Sequence, residues 1–355
     1  MRYTSFEKSV FEKINNAIHD VTPGVQVQAY HTGRQICDLS VGLTQPYYDL
    51  ASLTKIIFTQ QAMMVAFDKG QWTFESKVID FVPDFFDPQM KLTSLLTHTS
   101  GFDWWKPFYL ELVLNGDQDW INKRKQLFQL LNSSVNLKTS EKAMYSDLGF
   151  LTLGFVLENM HQKNLLQIWQ DIKEKFYPHS TLDFNVNNVR LFDENLYAPT
   201  EYCQIRKRVL RGEVHDENTW ALGGISTHAG LFGSIDDVSS YGLTLRAQLQ
   251  GIANYSVRQK TARSFAARAV SVAVGDWAMG YMIPSMENPS CGSSFSPLSI
   301  GHTGFTGTST WYDMKTDLLI VILSNRVNYG RDNKGYIKLR PLIHNWVYEG
   351  VRKLL

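Results

Sequence analysis

The sequence predicts an α+β fold in which strand-forming segments near both ends of the chain enclose a mostly helical middle. Four segments have the alternation, or the β-branched and aromatic content, of strands: residues 25–30, 35–41, 311–313 and 318–324. Between these ends, apolar residues recur at intervals of three and four, which is the spacing of one helix face. We therefore expect residues 1–70 and 270–355 to form an α/β lobe and residues 71–269 to form a mostly helical lobe.

The individual elements follow from the same patterns. Residues 5–18 place their apolar side chains on one side and predict an amphipathic helix. Residues 31–33 join the first two strands, and we expect a hairpin turn there in which Gly33 supplies an unusual backbone conformation. Residues 273–282 are a candidate strand, and residues 314–317 are the turn of a second hairpin. Further helices are expected at residues 121–131, 148–160, 164–175, 236–249 and 337–355.

Ser52 and Lys55 are the most informative residues of the chain because they open a predicted helix. Apolar residues recur every three or four positions from Ile56 to Phe67, and Gly70 is suited to end the helix. Residues three apart share a helix face, so the Lys55 amine is expected beside the Ser52 hydroxyl. The helix N-terminus favours an oxyanion and disfavours an ammonium. A serine needs a neighbouring base to become a nucleophile, and this spacing offers one.

The Ser-x-x-Lys spacing alone is weak, and a purely structural role for both residues is the alternative. Composition predicts about one or two such matches in a chain of this length. Ser5 and Lys8 have the same spacing, in an N-terminal segment whose pattern is that of a structural helix. Motifs elsewhere in the chain must therefore decide between the two interpretations.

Two downstream motifs favour the catalytic interpretation. One is Tyr-Ser-Asp at residues 145–147, and the other is Gly-His-Thr-Gly-Phe-Thr-Gly-Thr at residues 301–308, just before a predicted strand. Two supporting phrases are Leu-Leu-Thr-His-Thr-Ser-Gly-Phe at residues 95–102 and Leu-Gly-Gly-Ile-Ser-Thr-His-Ala-Gly-Leu-Phe at residues 222–232. With the Ser-x-x-Lys motif, this ordered set resembles the serine β-lactamase and penicillin-binding-protein superfamily. It is most similar to the class C-like branch, which includes carboxypeptidases, esterases and D-aminopeptidases. The resemblance covers about residues 22–330.

The resemblance implies a β-lactamase/transpeptidase-like fold, with an antiparallel sheet flanked by helices, a mostly helical lobe, and the active site in the cleft between them. It implies that Ser52 forms an acyl-enzyme, that Lys55 takes the serine proton, and that Tyr145 passes this proton on or activates the deacylating water. The backbone N–H groups of Ser52 and Phe305 would form the oxyanion hole. The implied substrate-binding residues are Asp147, His302, Thr303 and Gly304. No metal and no cofactor are implied.

The sequence departs from the usual pattern of penicillin-recognising relatives at two positions. Asp147 stands where most of them carry asparagine, so it lacks the amide donor that binds a substrate carbonyl. His302 stands where they carry lysine, and a histidine is only partly charged at neutral pH. Both changes weaken the expectation of an efficient β-lactamase. They favour a carboxypeptidase-like enzyme, an esterase or an aminopeptidase.

Several other residues leave alternatives open. His228 lies in a glycine-rich loop, where it lines the cleft or serves only the loop structure. His98 is expected to stabilise a turn. Trp104 and Trp105 are expected in the core, with a cleft wall or lid as the alternative. His215 followed by Asp216 is compatible with a catalytic triad, but Lys55 and Tyr145 already supply the base.

Composition bears on partners and on the compartment. The chain carries 35 basic and 34 acidic residues and no dominant basic patch, which argues against nucleic acid as the main partner. Its three cysteines are scattered, and neither a Cys-x-x-Cys nor a His-Glu-x-x-His motif occurs, so no zinc or redox site is indicated. No apolar run is long enough for a membrane span. The first eight residues lack the apolar core of a signal peptide, which predicts a cytoplasmic protein as written. Relatives are often exported to the periplasm or beyond, and a sequence already trimmed of its signal would look the same.

We therefore expect a serine hydrolase that acts through an acyl-enzyme on an amide or ester. D-amino-acid peptides of the cell-wall type are the favoured substrates. One alternative is a small-ester esterase or a weak β-lactamase, and another is a non-catalytic penicillin-binding or sensor module. The intact set of Ser52, Lys55 and Tyr145 argues against the module, because a binder needs no activated nucleophile. The expected partner is a small-molecule or peptide substrate, and the sequence does not indicate an oligomeric state.

Overall fold

The structure, a computed structural model, describes residues 3–114, 120–134, 137–138, 141–252 and 257–354. Its helices are α1 (Ser5–Ala17), α2 (Gln61–Asp68), α3 (Leu92–Leu96), α4 (Tyr109–Leu114), α5 (Trp120–Ser134), α6 (Asp147–His161), α7 (Leu165–Phe176), α8 (Glu217–Ala221), α9 (Ile235–Gln250), α10 (Gln259–Ala266) and α11 (Gly335–Leu354). Its strands are β1 (Gly24–His31), β2 (Arg34–Gly42), β3 (Tyr48–Asp49), β4 (Asp183–Phe184), β5 (Tyr202–Cys203), β6 (Arg208–Val209), β7 (Leu231–Gly233), β8 (Ser299–Thr303), β9 (Ser309–Asp313) and β10 (Leu318–Ser324).

The predicted α+β fold is confirmed, and an antiparallel five-stranded sheet forms its centre in the order β2-β1-β10-β9-β8. The N-terminal and C-terminal strands thus meet in one sheet. The hairpin at residues 31–33 has a two-residue turn, since His31 pairs with Arg34. Thr32 and Gly33 both have positive φ angles, 50° and 79°, which matches the right-handed twist of the two strands. Two smaller sheets, β3-β7-β4 and β5-β6, lie outside the central one.

The central sheet separates two hydrophobic cores. In β10, Leu318, Ile320 and Ile322 face the core that α1 and α11 cover, whereas alternate residues face the larger core. This two-sided burial explains why the strand is a continuous apolar run rather than an alternating one. Helix α9 packs on the opposite face from α1, against β1, β9 and β10. The division into lobes at residues 70 and 269 remains a prediction.

The helix that follows Ser52 has the predicted extent but not a regular geometry. A π-helix spans Lys55–Gln60 and continues directly into α2. Gly70 lies just beyond the end with φ 74°, as expected of a residue that ends a helix. Every side chain of the π-helix is buried. π-turns within helices occur frequently at functional sites, and their wider turn is not visible in a hydrophobic pattern.

The expectation of a strand at residues 273–282 is wrong. This segment makes only the isolated bridges Trp277–Met282 and Met282–Gly301. The reason is a tight turn in which the Ala278 N–H bonds to the Tyr281 carbonyl at 2.9 Å, with Gly280 at φ 86°. The chain therefore reverses before a strand can form. Among the described helices, none is both long and apolar enough to cross a lipid bilayer.

Candidate active site

Asp49 positions the residues immediately before Ser52. Its buried carboxylate accepts hydrogen bonds from the Ala51 N–H at 2.8 Å and from the His215 N–H at 2.7 Å. Ala51 has φ 46°, a left-handed conformation that is uncommon for a residue other than glycine. The bond from its own N–H to Asp49 holds the chain in that turn. Ser52 is thereby presented, partly exposed, at the start of the buried helix.

The Ser52 hydroxyl lies between the other two predicted catalytic groups. Its Oγ is 2.7 Å from the Tyr145 Oη and 3.0 Å from the Lys55 Nζ. Tyr145 is 93 residues away from Ser52 in the chain, so the fold itself brings the second motif to the first. The structure thus confirms that Ser52 and Lys55 lie side by side on one face of the helix start.

Lys55 is fully buried and makes three contacts that suit both of its protonation states. Its Nζ lies 2.6 Å from Asp147 Oδ1 and 3.0 Å from the His228 carbonyl oxygen, in addition to Ser52. As an ammonium, Lys55 donates to all three oxygens. As a neutral amine, it donates to Asp147 and His228 and accepts the proton of the Ser52 hydroxyl. Burial lowers the pKa of Lys55, and the Asp147 carboxylate opposes that change.

Tyr145 is a neutral phenol in this environment. Burial raises its pKa well above the ordinary value, and the nearby charge of Asp147 raises it further. The ring packs against His98, at 4.7 Å between ring centroids, and against Trp277, at 6.0 Å. His98 Nδ1 accepts the Ser146 N–H at 3.0 Å, which holds the segment that carries Tyr145. His98 itself lies in the turn that follows α3, with φ 57°, and the sequence predicts such a place in a turn for it.

Asp147 is the first residue of α6 and follows Ser146, whose hydroxyl caps the helix. The Asp147 N–H donates to the Trp104 carbonyl at 2.9 Å, and the Ser146 hydroxyl donates to the Asp103 carbonyl at 2.6 Å. The side chain of Asp147 is 14% exposed, whereas that of Lys55 is 0% exposed. The carboxylate is therefore the part of this ion pair that a bound substrate reaches.

His302 differs from the sequence expectation of a partly charged residue. It lies in β8, is 1% exposed, and its Nδ1 lies 2.9 Å from the Thr303 carbonyl oxygen. Burial lowers the pKa of His302 to about 3, and the charge of Lys55 contributes. His302 is thus neutral at physiological pH and donates through Nδ1. A neutral, buried imidazole is poorly suited to hold a substrate carboxylate.

The segment that follows β8 is held against the residues before Ser52. The Thr306 hydroxyl donates to the Asp49 carbonyl at 2.7 Å, and the Thr308 hydroxyl donates to the Leu50 carbonyl at 3.1 Å. A Cβ on Gly304 would lie 2.1 Å from Thr308 Oγ1, so only glycine allows this approach. The two backbone N–H groups predicted for the oxyanion hole belong to these two joined segments.

Phe305 is clamped from two sides. The Arg326 Nε donates to the Phe305 carbonyl at 2.8 Å, and the guanidinium lies 4.7 Å from the centre of the ring. The His215 imidazole stacks on the same ring at 5.5 Å. Phe305 nevertheless remains 46% exposed, whereas Arg326 is buried. Arg326 therefore holds the backbone carbonyl and the ring of Phe305, while part of that side chain stays accessible.

His228 is buried, and its backbone rather than its ring contacts Lys55. The ring Nε2 lies 2.9 Å from Asp216 Oδ1, and Nδ1 lies 2.8 Å from the Ser226 hydroxyl. Possible metal-ligand atoms of Asp147, Asp216 and His228 lie within 4.8 Å of one another. Asp216 and His228 bond to each other, and Asp147 bonds to Lys55.

A family model described as Beta-lactamase matches residues 12–342, which is nearly the whole chain. The chain belongs to the β-lactamase family. A protein of Salmonella agona (strain SL483), provisionally named as a D-alanyl-D-alanine carboxypeptidase, is 28% identical over 311 residues, which cover 80% of this chain and 70% of the relative. A protein of the same name from Escherichia coli (strain K12) is 27% identical over the same share of each chain.

Two solved structures that are similar to this β-lactamase-family hydrolase have the same fold. EstCE1, described as a hydrolase with promiscuous acyltransferase activity, has a TM-score of 0.70 at 17% identity and covers 97% of this chain and 98% of its own. An octameric penicillin-binding protein homologue from Pyrococcus abyssi has a TM-score of 0.69 at 17% identity, covering 94% and 76%. At this level of identity, the similarity shows the fold alone, and the substrate must be inferred from the residues of the site.

In this hydrolase the tryptophan pair is not in the core, so that expectation is wrong for Trp104, which is 60% exposed. The two rings stack at 5.8 Å. The surface position follows from the backbone of Trp104, whose carbonyl accepts a hydrogen bond from the first residue of α6.

His215 and Asp216 do not form a triad with Ser52, because the His215 Nε2 bonds to Glu201 and Asp216 bonds to His228.

Asp49 and Arg326 are positioning residues that sequence reasoning missed in this family member. Asp49 left a weak signal, since an Asp that bonds the N–H two residues on forms a common type of turn. Arg326 left none, because it acts on a residue 21 positions away across the sheet edge. The contact of the His228 carbonyl with Lys55 could not be predicted from the sequence either, since every residue has a backbone carbonyl.

Proposed function

We propose that this protein hydrolyses an amide or ester through an acyl-enzyme on Ser52, and that D-amino-acid peptides of the cell-wall type are its substrates. The observation that carries the proposal is the position of Ser52 Oγ, within hydrogen-bond distance of both Tyr145 Oη and Lys55 Nζ. Such a contact pair is what a serine nucleophile requires. The names of the relatives from Salmonella and Escherichia coli support the choice of D-alanyl peptides.

The proposed reaction has two halves. Neutral Lys55 takes the Ser52 proton while Oγ attacks the substrate carbonyl, and the oxyanion binds to the N–H groups of Ser52 and Phe305. The proton then passes from Lys55 by way of the Tyr145 hydroxyl to the leaving group, which departs and leaves the acyl-enzyme. Water attacks the acyl-enzyme with the same groups in the reverse order, and Ser52 regains its proton. Tyr145 acts as a neutral hydroxyl that donates and accepts, in agreement with its raised pKa.

A small-ester esterase is the second candidate, and His302 favours it. A D-alanyl-D-alanine leaving group carries a carboxylate, and the neutral, buried His302 offers it no positive charge. An ester with an alcohol leaving group makes no such demand. The same argument predicts that any β-lactamase activity is weak, because a β-lactam also carries a carboxylate. A non-catalytic sensor module is disfavoured, since Lys55 and Tyr145 both contact Ser52.

The proposal is tested with a substrate panel. Initial rates are measured on p-nitrophenyl butyrate, on a peptide ending in D-Ala-D-Ala and on a chromogenic cephalosporin, for wild type and for Ser52→Ala. We expect Ser52-dependent hydrolysis of the peptide and the ester and slower turnover of the cephalosporin. Ester activity without peptide activity would transfer the proposal to the esterase. Rates that persist in the Ser52→Ala variant would refute both.

A further inference from the structure

Arg340 is a buried cation that has no carboxylate partner in the described part of the chain. It lies in α11, its Nε is buried without a hydrogen-bond partner, and no described acidic side chain forms an ion pair with it. Burial lowers the pKa of Arg340 to about 10, so the guanidinium is still charged at neutral pH. A buried charge is costly unless another group neutralises it, and buried charges in proteins are therefore normally paired.

Arg326 is a second buried cation in the same region. Its Nε and Nη1 donate to the backbone carbonyls of Phe305 and Asn333, at 2.8 Å and 3.1 Å. These carbonyls accept hydrogen bonds but carry no net charge. The charge of Arg326 acts on Arg340 and lowers its pKa, as expected of two like charges in a buried region.

The titratable groups around the two guanidiniums do not neutralise them. Tyr336 is a neutral phenol, because burial raises its pKa to about 12. His302 and His344 are neutral as well, because burial lowers the pKa of each. The carboxylate of Glu201 acts on one of the two guanidiniums, but it is already paired with Arg331. The two cations therefore lack a counter-ion of their own.

The donors without partners lie on one buried face of α11. Tyr336, Arg340 and His344 follow one another at intervals of four residues and thus share this face. His344 Nε2 lies 3.0 Å from Ser309 Oγ in β9, so the face is turned toward the central sheet. The Tyr336 hydroxyl is buried without a hydrogen-bond partner, and the charges of Arg326 and Arg340 both act on it. An N–H donor and an O–H donor thus lie one helix turn apart without an acceptor.

We propose that Arg326, Arg340 and Tyr336 bind a small monovalent inorganic anion, for which chloride is the natural candidate. The anion accepts hydrogen bonds from the N–H and O–H groups and neutralises one of the two buried charges. The three residues are 3%, 7% and 0% exposed, which leaves little room for a carboxylate that is attached to a larger substrate. A divalent anion such as sulfate is disfavoured, because the cost of burying an ion rises steeply with its charge.

The bound anion is a structural counter-ion, and this inference does not depend on the proposed function. It stabilises the folded chain by mass action, since the unfolded chain does not assemble the site. The site is linked to the region around Ser52 only through Arg326, which holds the Phe305 carbonyl.

Thermal unfolding measures the anion dependence of stability. Sodium chloride replaces sodium gluconate at a constant ionic strength of about 0.2 M, so that charge screening does not change. Gluconate is too large for a buried site. We expect the melting temperature of wild type to rise by about 2 °C or more and to level off as the site fills.

Three variants assign this rise to the site. Arg340→Met removes the guanidinium and should abolish the saturable rise. Tyr336→Phe removes one O–H donor and should raise the chloride concentration at half-effect by about threefold or more, which keeps the test decisive if Arg340→Met does not fold. Arg258→Met is the matched control, because Arg258 is an exposed arginine that is paired with Asp68. It should keep the wild-type rise.

Anomalous X-ray scattering from crystals grown in sodium bromide locates the ion directly. We expect a bromide peak in contact with the Arg340 guanidinium and the Tyr336 hydroxyl. Bromide peaks confined to the protein surface would overturn the inference, and so would a rise in melting temperature that does not saturate or that persists in Arg340→Met. If a D-Ala-D-Ala peptide competes with chloride in the unfolding assay, the guanidiniums hold a substrate carboxylate and the assignment to an inorganic anion is wrong.

Discussion

At the scale of single residues, the site is organised around the hydrogen-bonding capacity of Lys55. Each of its three neighbours accepts a hydrogen bond from Lys55, and among them only Ser52 can also donate one. The direction of proton transfer is therefore determined by the identity of the contacts rather than by a movement of the lysine. Tyr145 completes the arrangement on the other side of Ser52, at 2.7 Å.

The first prediction concerns these two partners. Lys55→Ala and Tyr145→Phe should each lower kcat by about a hundredfold or more, the usual scale for lost acid–base catalysis. Steady-state kinetics on p-nitrophenyl butyrate measures the effect, and circular dichroism melting checks that both variants remain folded. If both are folded and turn over at wild-type rates, the proton-transfer assignment is wrong.

At the scale of elements, the proposed oxyanion hole depends on two chain segments that other residues hold together. Asp49, Thr306 and Thr308 join the turn before Ser52 to the segment after β8. Arg326, just after β10, holds the carbonyl and the ring of Phe305. The two N–H groups of the proposed oxyanion hole belong to these two segments, so their spacing is set by these contacts.

The second prediction is that Arg326→Lys lowers kcat by about tenfold with little change in KM. A lysine loses the planar group that lies over the Phe305 ring and donates at a fixed angle. A misplaced oxyanion donor affects the transition state more than the bound substrate. Arg246→Lys is the matched control, because Arg246 pairs with Asp317 at the far end of the sheet. An unchanged kcat in Arg326→Lys, or an equal loss in the control, would contradict this role.

At the scale of the whole molecule, stability is coupled to pH by three of the buried histidines among the described residues: His98, His302 and His344. Burial lowers the pKa of each below its ordinary value of 6.5, to about 3 for His302. Below pH 6.5 the unfolded chain binds protons that these folded residues do not. Their contribution to stability is thus complete above that pH and is lost as the pH falls toward the folded values.

The third prediction follows from that sign. The free energy of unfolding should fall between pH 6.5 and pH 4, by about 1.4 kcal/mol per pH unit for each such histidine. His344→Gln keeps a polar side chain near the Ser309 hydroxyl and removes one titrating group. Urea unfolding at several pH values should show a slope reduced by about one proton in this variant. An unchanged slope would show that His344 protonates equally in both states.

The sequence predicts those parts of the molecule that depend on local spacing. The hairpin at residues 31–33, α6, and the proximity of Ser52 and Lys55 all follow from contacts a few residues apart. The catalytic role of Tyr145 could be predicted only from the family resemblance. No local sequence pattern indicates a contact between residues that lie 93 positions apart. The charge state of His302 could not be predicted either, since it depends on burial that the assembled sheet creates. The role of Arg326 could not be predicted for the same reason, because its contact with Phe305 forms only in the folded chain.

The central claim is that Ser52 is the residue that becomes acylated. Intact-mass spectrometry after incubation with a fluorophosphonate measures this directly, followed by peptide mapping of the modified residue. We predict one adduct per chain, located on Ser52 and missing in a folded Ser52→Ala variant. An adduct of the same stoichiometry that persists in that variant and maps to another serine would contradict the account.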